Sequence, residues 1–154
     1  MTEHHQYLLS KCQKYCSYQE RSIFEVKRKL YEWKSQPKVA DKIIMQLIED
    51  NYLNEERFAK SFAIGKFRNK KWGKNKIIFE LRKKQIPELI IQIGLAEIDQ
   101  EEYLQTLKEI IAKKAKEIKE TNLRKKNYKI AKYAINKGFH SGFVWDIINQ
   151  GHSL

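Results

Sequence analysis

The amino-acid sequence predicts an all-α protein, and three observations support this class. Apolar residues recur every three or four positions along most of the 154 residues, which is the spacing that places them on one face of an α-helix. The alternating pattern of a β-strand is not found. The chain contains only six glycines and two prolines, fewer than a turn-rich β protein uses.

The first three helices are predicted within residues 1–53. The first covers about residues 4–16, and Ser17-Tyr18-Gln19-Glu20 has the S-x-x-E pattern of a capping box, which predicts the start of the second helix. Pro37 is expected in the first turn of the third helix, where its missing N–H costs nothing. The buried faces of the second and third helices are predicted to consist of Ile23, Val26, Leu30 and Trp33, and of Val39, Ile43, Leu47 and Ile48.

Three further helices are predicted within residues 54–98. Asn54 can cap the fourth helix, which has two glutamates in its first turn to face the helix dipole. Gly73 is expected to make the turn into the fifth helix, which ends near Gln85. Pro87 is expected to open a short sixth helix.

The last three helices are predicted within residues 99–154. Asp99 begins a long basic helix, and another follows Asn122 and stops at Gly138. The final helix carries an apolar face around Val144 and Ile147. His140 lies near its start, where a polar or capping role is expected in preference to catalysis.

The three groups of helices can be overlaid as repeats. Residues 76–91 align without a gap on residues 129–144, an offset of 53 that pairs Leu81 with Ala134. In the first group, Ile23-Phe24-Glu25-Val26 overlays Ile78-Phe79-Glu80-Leu81. Tandem three-helix units, each burying its apolar face against the next, predict an elongated helical-repeat protein.

Charge gives the first indication of function. The chain has 31 basic and 19 acidic side chains, a net charge of +12, which favours polyanionic partners. The basic residues are concentrated in two blocks, within 66–84 and 113–132. The residues predicted to contact nucleic acid or a nucleoprotein filament are Lys66, Arg68, Lys70, Lys71, Lys74, Lys76, Arg82, Lys83, Lys84, Lys113, Lys114, Lys116, Arg124, Lys125, Lys126 and Lys129.

Two alternatives remain open at the first basic block, KFRNKKWGKNK (66–76). Its lysines either contact a polyanion or form a solvated surface, and if the backbone is helical Lys70 and Lys74 share a face. Trp72 either stacks on a nucleic-acid base or packs over the Gly73 turn. Packing is the preferred interpretation for the tryptophan, and polyanion contact for the lysines.

The sequence gives little support to other classes of function. It has no glycine-rich phosphate loop, no paired metal-ligand motif and no nucleophile–base spacing, so we expect no enzyme activity, cofactor or small-molecule substrate. No segment has the apolar character of a signal peptide or a membrane span, which predicts a soluble cytoplasmic protein without a membrane partner. Cys12 and Cys16 are expected to be buried, reduced thiols, since metal binding with His4 and His5 matches no common zinc spacing.

Residues 50–86 carry a more specific pattern. Their segments Tyr52-Leu53-Asn54, Arg57-Phe58-Ala59, Lys70-Lys71-Trp72-Gly73 and Ile77-Ile78-Phe79-Glu80-Leu81 resemble the central repeat of the RecX family of recombination regulators. The sequence departs from the family pattern at Asn51, Asn54 and Gln85. Asn accepts left-handed backbone geometry and caps helices, whereas Gln85 replaces a glycine, so the turn before Pro87 is expected to differ.

The resemblance implies a fold, a partner and a function. It implies three tandem three-helix repeats, 1–53, 54–98 and 99–154, in an elongated, curved arrangement. It also implies a non-catalytic role in recombination, DNA repair and the SOS response: binding the RecA recombinase filament and mainly inhibiting its ATPase and strand exchange, with affinity for single- and double-stranded DNA. The alternative is a basic helical-repeat protein that binds nucleic acid without a dedicated protein partner.

Overall fold

The computed structural model describes residues 2–151, and in this part of the chain all regular secondary structure is α-helical. The predicted all-α class is therefore confirmed. The helices are α1 (Glu3–Tyr18), α2 (Ile23–Glu32), α3 (Pro37–Glu49), α4 (Glu55–Lys70), α5 (Lys74–Lys83), α6 (Glu88–Leu95), α7 (Gln100–Glu117), α8 (Leu123–Asn136) and α9 (Ser141–Asn149).

The start of α2 differs from the prediction. Ser17 lies inside α1, where its hydroxyl donates to the carbonyl of Gln13 at 2.7 Å. The capping box forms five residues later, where Ser22 accepts from the N–H of Glu25 and the Glu25 carboxylate accepts from the N–H of Ser22. The capping box predicted at Ser17 is therefore wrong. Both sites read S-x-x-E, and α1 simply continues through the first of them.

The other predicted helix starts are confirmed. Pro37 occupies the first turn of α3. The side chains of Asn54, Asp99 and Asn122 accept hydrogen bonds from backbone N–H groups three residues ahead, at 2.9 to 3.0 Å. His140 caps α9, its Nδ1 accepting from the N–H of Gly142 at 3.1 Å.

The second helices of the three groups end in the same turn. After α2, α5 and α8, a residue with positive φ follows, and the next N–H donates to a carbonyl five residues back, on Leu30, Leu81 and Ala134 respectively. The predicted pairing of Leu81 with Ala134 is confirmed. The predicted pairing of Val26 with Leu81 is wrong by one helical turn, because the counterpart of Leu81 is Leu30.

Gln85 follows the same geometry as its counterparts. Its φ is 60°, close to the 59° of Lys34 in the equivalent turn after α2. The expectation that Gln85 would change the turn before Pro87 is therefore wrong. Gln85 adopts the left-handed conformation that lets the following N–H bond to a carbonyl at the end of the helix, although a residue with a side chain is unfavourable at this position.

The chain divides into two compact units. Unit 1 combines the chain up to Ser61 with Leu81–Gly94, and unit 2 combines Phe62–Glu80 with the chain from Leu95 onward. The proposed three-repeat boundaries, after residues 53 and 98, lie between helices, whereas α4 and α5 each contribute to both units.

Each unit buries an apolar core between its helices. In unit 1, α1 and α2 pack on α3 around Leu8, Leu30, Ile43 and Leu47. In unit 2, α7, α8 and α9 pack together around Ile111, Ile130, Phe139 and Val144. Packing of these apolar faces against one another is what stabilises the helices, which would be only marginally stable in isolation.

Cys12, Cys16 and Ile48 are all predicted to be buried in this part of the chain. The cysteines are buried and unbridged, as expected, and burial raises the pKa of the Cys12 thiol to about 12 and that of Cys16 to about 11. Ile48, predicted to be buried, is exposed. It lies one position beyond Leu47 and therefore points away from the buried face of α3.

Candidate nucleic-acid interface

The first basic block spans a helix end, a turn and a helix start. Helix α4 ends at Lys70, Lys71 has a φ of 58°, and α5 begins at Lys74. The N–H of Lys71 donates to the carbonyl of Phe67 at 3.0 Å and closes the helix. The backbone is not helical between α4 and α5, so the condition under which Lys70 and Lys74 would share a helix face is not met.

Gly73 has a different role from the one predicted. The left-handed residue of the turn is Lys71, whereas Gly73 allows a close approach of two backbones. A Cβ on Gly73 would lie 2.3 Å from the carbonyl carbon of Gly138. The N–H of Gly73 donates to the carbonyl of Lys137 at 2.7 Å, and that of Asn75 to the carbonyl of Gly138 at 2.9 Å. The α4–α5 turn and the end of α8 are thus joined backbone to backbone.

Trp72 packs within unit 2, the role preferred from the sequence. Its half-buried ring meets Phe62 edge-on at 6.4 Å between centroids. The ammonium groups of Lys66 and Lys76 lie 5.2 and 4.7 Å from its centroid, within the range of cation–π attraction. These two predicted contact residues therefore also hold the tryptophan in place.

Tyr103 connects the start of α5 to the core of unit 2. Its hydroxyl accepts from the backbone N–H of Lys74 at 2.9 Å, and the Lys74 ammonium lies 4.8 Å from its ring centroid. The ring packs on Phe67 and Phe139, and burial raises the pKa of the phenol. Tyr103 therefore fixes the position of Lys74 through both its hydroxyl and its ring.

The second basic block lies on α7 and α8 of unit 2. Lys113, Lys114 and Lys116 belong to α7, and Arg124, Lys125, Lys126 and Lys129 belong to the first half of α8. Two of these residues form ion pairs, Lys114 with Glu117 at 3.7 Å and Lys129 with Glu120 at 3.6 Å. The others form no ion pair within the described residues and are exposed or nearly so.

The structure brings the two basic blocks together at one place. A groove of about 300 Å³ is lined by Lys71 of the α4–α5 turn, Lys113 and Lys114 of α7, and Lys137 at the end of α8. We call it the lysine groove. Lys137 and the neighbouring Tyr133 were not predicted as site residues. The signal available in the sequence was the position of Lys137 directly before the helix-stopping Gly138.

Four predicted residues are engaged elsewhere. Arg68 forms a two-pronged salt bridge with Glu102 at 3.1 and 3.2 Å, which raises the pKa of its guanidinium. Arg82, Lys83 and Lys84 belong to unit 1. There, Arg82 pairs with Glu88, and Lys84 lies 3.4 Å from Glu25.

Among residues 2–151, no group of three His, Cys, Asp or Glu side chains is placed to hold a metal ion. None of the helices described combines the length and apolar character needed to cross a membrane.

The central helices resemble a known class of protein. Residues 54–95 match the family model described as RecX, second three-helix domain. This class is a regulatory protein built from three-helix domains, in agreement with the repeated helix-ending turns. The chain is similar to RecX proteins over most of its length, and the resemblance seen in the sequence is confirmed.

Relatives and solved structures extend the match over most of the chain. The regulatory protein RecX of Lactobacillus johnsonii is 30% identical over 136 residues, covering 88% of this chain and 50% of that protein. That of Yersinia enterocolitica is 27% identical, covering 93% and 96%. The chain thus spans about half the length of the first relative and nearly all of the second. The crystal structure of RecX from Lactobacillus salivarius matches in fold, with a TM-score of 0.84 at 24% identity over 95% of both chains.

Proposed function

We propose that this chain acts in the cytoplasm as a non-catalytic regulator of recombination and DNA repair. It binds the RecA nucleoprotein filament and modulates, mainly inhibits, ATP hydrolysis and strand exchange. The observation that carries this proposal is the family match, since residues 54–95 match a RecX domain and the relatives are named regulatory proteins RecX. A filament of recombinase on DNA would offer both protein surfaces and phosphates.

The charge of unit 2 supports a contact with nucleic acid inside such a filament. Unit 2 has 17 basic and 9 acidic side chains, and lysines such as Lys70, Lys71 and Lys113 form no ion pair within the described residues. Lysines that have no protein carboxylate partner can neutralise phosphates and release their counterions. We therefore retain the two basic blocks as the proposed nucleic-acid or filament contact.

A second candidate function is binding of nucleic acid without a dedicated protein partner. The same basic surface favours it, because electrostatic attraction to phosphates requires no specific protein contact. The two candidates differ in how inhibition depends on concentration. A filament regulator inhibits recombinase ATPase well below the concentration that saturates naked DNA, whereas a competitor for DNA inhibits only near saturation.

The deciding experiment titrates this protein into the RecA recombinase of the same organism on single-stranded DNA. ATP hydrolysis is followed beside a binding curve for the same DNA without recombinase, in the same buffer. We expect half-inhibition at a concentration at least about tenfold below half-saturation of the DNA. Coincidence of the two curves would contradict the regulator proposal and favour competition for DNA.

A charge reversal tests the contribution of the first basic block. The variant K70E/K71E/K74E should weaken filament binding, because it replaces three attractive charges with repulsive ones. Its matched control is K14E/K38E/K42E, which makes the same net-charge change on exposed lysines of unit 1. Circular dichroism confirms that both variants stay helical. Equal filament affinity for the two variants would show that the first block is only a solvated surface.

A further inference from the structure

The lysine groove collects more positive charge than its surroundings neutralise. Four lysines line it, together with the carboxylates of Glu109 and Glu117. Glu117 lies 3.7 Å from Lys114, and the side-chain amide of Gln105 donates to Glu109 at 3.3 Å. Four lysines against two glutamates leave two positive charges in excess. The ion pair between Lys114 and Glu117 is long and half-exposed, and such pairs are weak.

Two of the four ammonium groups are available to a ligand. Lys71 and Lys113 are exposed and form no ion pair in the part of the chain that the structure describes. The other two gather at Tyr133, where the ammonium groups of Lys114 and Lys137 lie 4.2 and 5.7 Å from the ring centroid. The phenol thus keeps two further cations beside the groove without neutralising them.

The backbone fixes the groove before any ligand arrives. Lys71 occupies a left-handed turn closed by hydrogen bonds to the end of α4. That turn is joined to the end of α8 by the 2.7 Å bond from Gly73 to the carbonyl of Lys137. The backbones that carry Lys71 and Lys137 are therefore held together, so little ordering of the main chain opposes binding.

We propose that the lysine groove binds consecutive phosphate groups of a single DNA strand. Lysine is a common phosphate ligand that acts as a point charge, and Thr106 and Tyr133, two residues with hydroxyl groups, line the same groove. Lys116 stands three residues beyond Lys113, on the same side of α7, and also forms no ion pair within the described residues. This continuation beyond the groove favours a polymeric anion over an isolated phosphate. The inference rests on the proposed function and deepens it by naming where DNA is held.

The test is the salt dependence of binding to an oligo-dT strand. The variant K71N/K113Q removes two phosphate contacts while keeping a residue that tolerates the left-handed turn. The control K38Q/K42Q removes the same charge from α3 of unit 1. For a single strand, the slope of log affinity against log salt changes by about 0.7 per contact. We expect the groove variant to have a slope shallower than that of the wild type by about 1.4, and the control to match the wild type.

A second measurement does not depend on the variants folding. In ¹⁵N-labelled wild-type protein, oligo-dT should shift the backbone amide resonances of Lys71, Lys113 and Lys137, and pyrophosphate should shift the same set more weakly. Shifts with pyrophosphate alone would assign the groove to free polyphosphate and overturn the DNA proposal. Shifts with neither probe, or equal slopes for the groove variant and the wild type, would also overturn it.

The groove assignment and the proposed regulatory function can be refuted separately. A wild-type protein that binds oligo-dT through the groove but does not inhibit recombinase ATPase would refute filament regulation and leave the groove assignment standing. Inhibition that persists in K71N/K113Q, with the slope unchanged, would refute the groove and leave regulation standing.

Discussion

The two units of the molecule share a helical construction but differ in charge. They contain 75 and 79 residues, and each packs helices around an apolar core. Unit 1 has 14 basic and 10 acidic side chains, whereas unit 2 has 17 and 9. The net charge of unit 2, +8, is thus twice that of unit 1, +4, at nearly the same size.

The units also differ in how their cations are used. In unit 1, Arg57 pairs with Glu20, Arg82 with Glu88 and Lys84 with Glu25. In unit 2, the lysine groove concentrates cations that have few carboxylate partners. A repeated fold therefore sets the positions of the helices, while the side chains on its surface determine what each unit can bind.

The largest predicted effect is a substitution that destabilises unit 2 more than unit 1. Replacing Gly73 with valine should destabilise unit 2 by about 3 kcal/mol, because the new side chain would overlap the backbone of Gly138 and Phe139. Amide hydrogen exchange, read for each unit, measures the effect. Protection of α7 and α8 should fall by more than that of α1 and α3.

Gly65 provides the matched control for Gly73. It lies inside α4, and nothing stands within 4 Å of the Cβ that a substitution would add. Gly65→Ala should therefore leave unit 2 intact and stabilise the helix by up to about 1 kcal/mol. If Gly73→Val and Gly65→Ala give the same exchange rates, the joining of the two turns does not stabilise unit 2.

Alkaline pH should act on the units differently. Burial raises the pKa of Cys12 to about 12 and that of Cys16 to about 11 from an ordinary 9.0, so the folded state disfavours both thiolates. Their contribution to stability is complete below pH 9 and is lost as pH rises through the folded values. Both cysteines lie in unit 1, so we expect its protection to fall first between pH 9 and 10.

The double variant C12A/C16A checks that assignment. Its free energy of unfolding should depend less on pH between 8 and 10 than that of the wild type. Above pH 10, Tyr103 adds a similar loss in unit 2, since its pKa is also raised by burial. Identical pH dependence of the variant and the wild type would show that the thiols are not responsible.

Much of the helical architecture could be predicted because its signals are local. Asn54, Asp99, Asn122 and His140 cap helices where the sequence indicated. The errors arose where a local pattern occurs twice. Ser17 and Ser22 both fit a capping box, and a shift of four residues along a helix preserves the apolar face, so the first repeat was overlaid one turn out of register.

The candidate site was less predictable, because it depends on contacts between distant segments. Charge density identified Lys71 and Lys113, which are 42 positions apart, but did not indicate that they line one groove. Lys137 joins them only because the Gly73 turn packs on Gly138. A glycine needed for a close backbone approach has no local sequence signal that distinguishes it from a glycine that makes a turn.

The smallest predicted effect concerns a helix-ending turn with a left-handed residue, which occurs in both units. Gln85 in unit 1 and Gly138 in unit 2 occupy the same left-handed position, with φ of 60° and 105°. Gln85→Gly should stabilise unit 1 by about 0.5–1 kcal/mol, because the relief of left-handed strain slightly exceeds the added entropy of the unfolded chain. Urea denaturation measures the change.

The reverse substitution introduces a side chain at the equivalent position of unit 2. Gly138→Gln should destabilise unit 2 far more than Gln85→Gly stabilises unit 1, because a Cβ at position 138 would lie 2.7 Å from the N of Lys76 and 2.8 Å from the carbonyl of Gly73. Gln85 adopts the turn with a side chain, whereas Gly138 has a second backbone packed against it. Equal and opposite effects at the two positions would mean that φ alone determines the cost, and that the contact between Gly73 and Gly138 adds no constraint of its own.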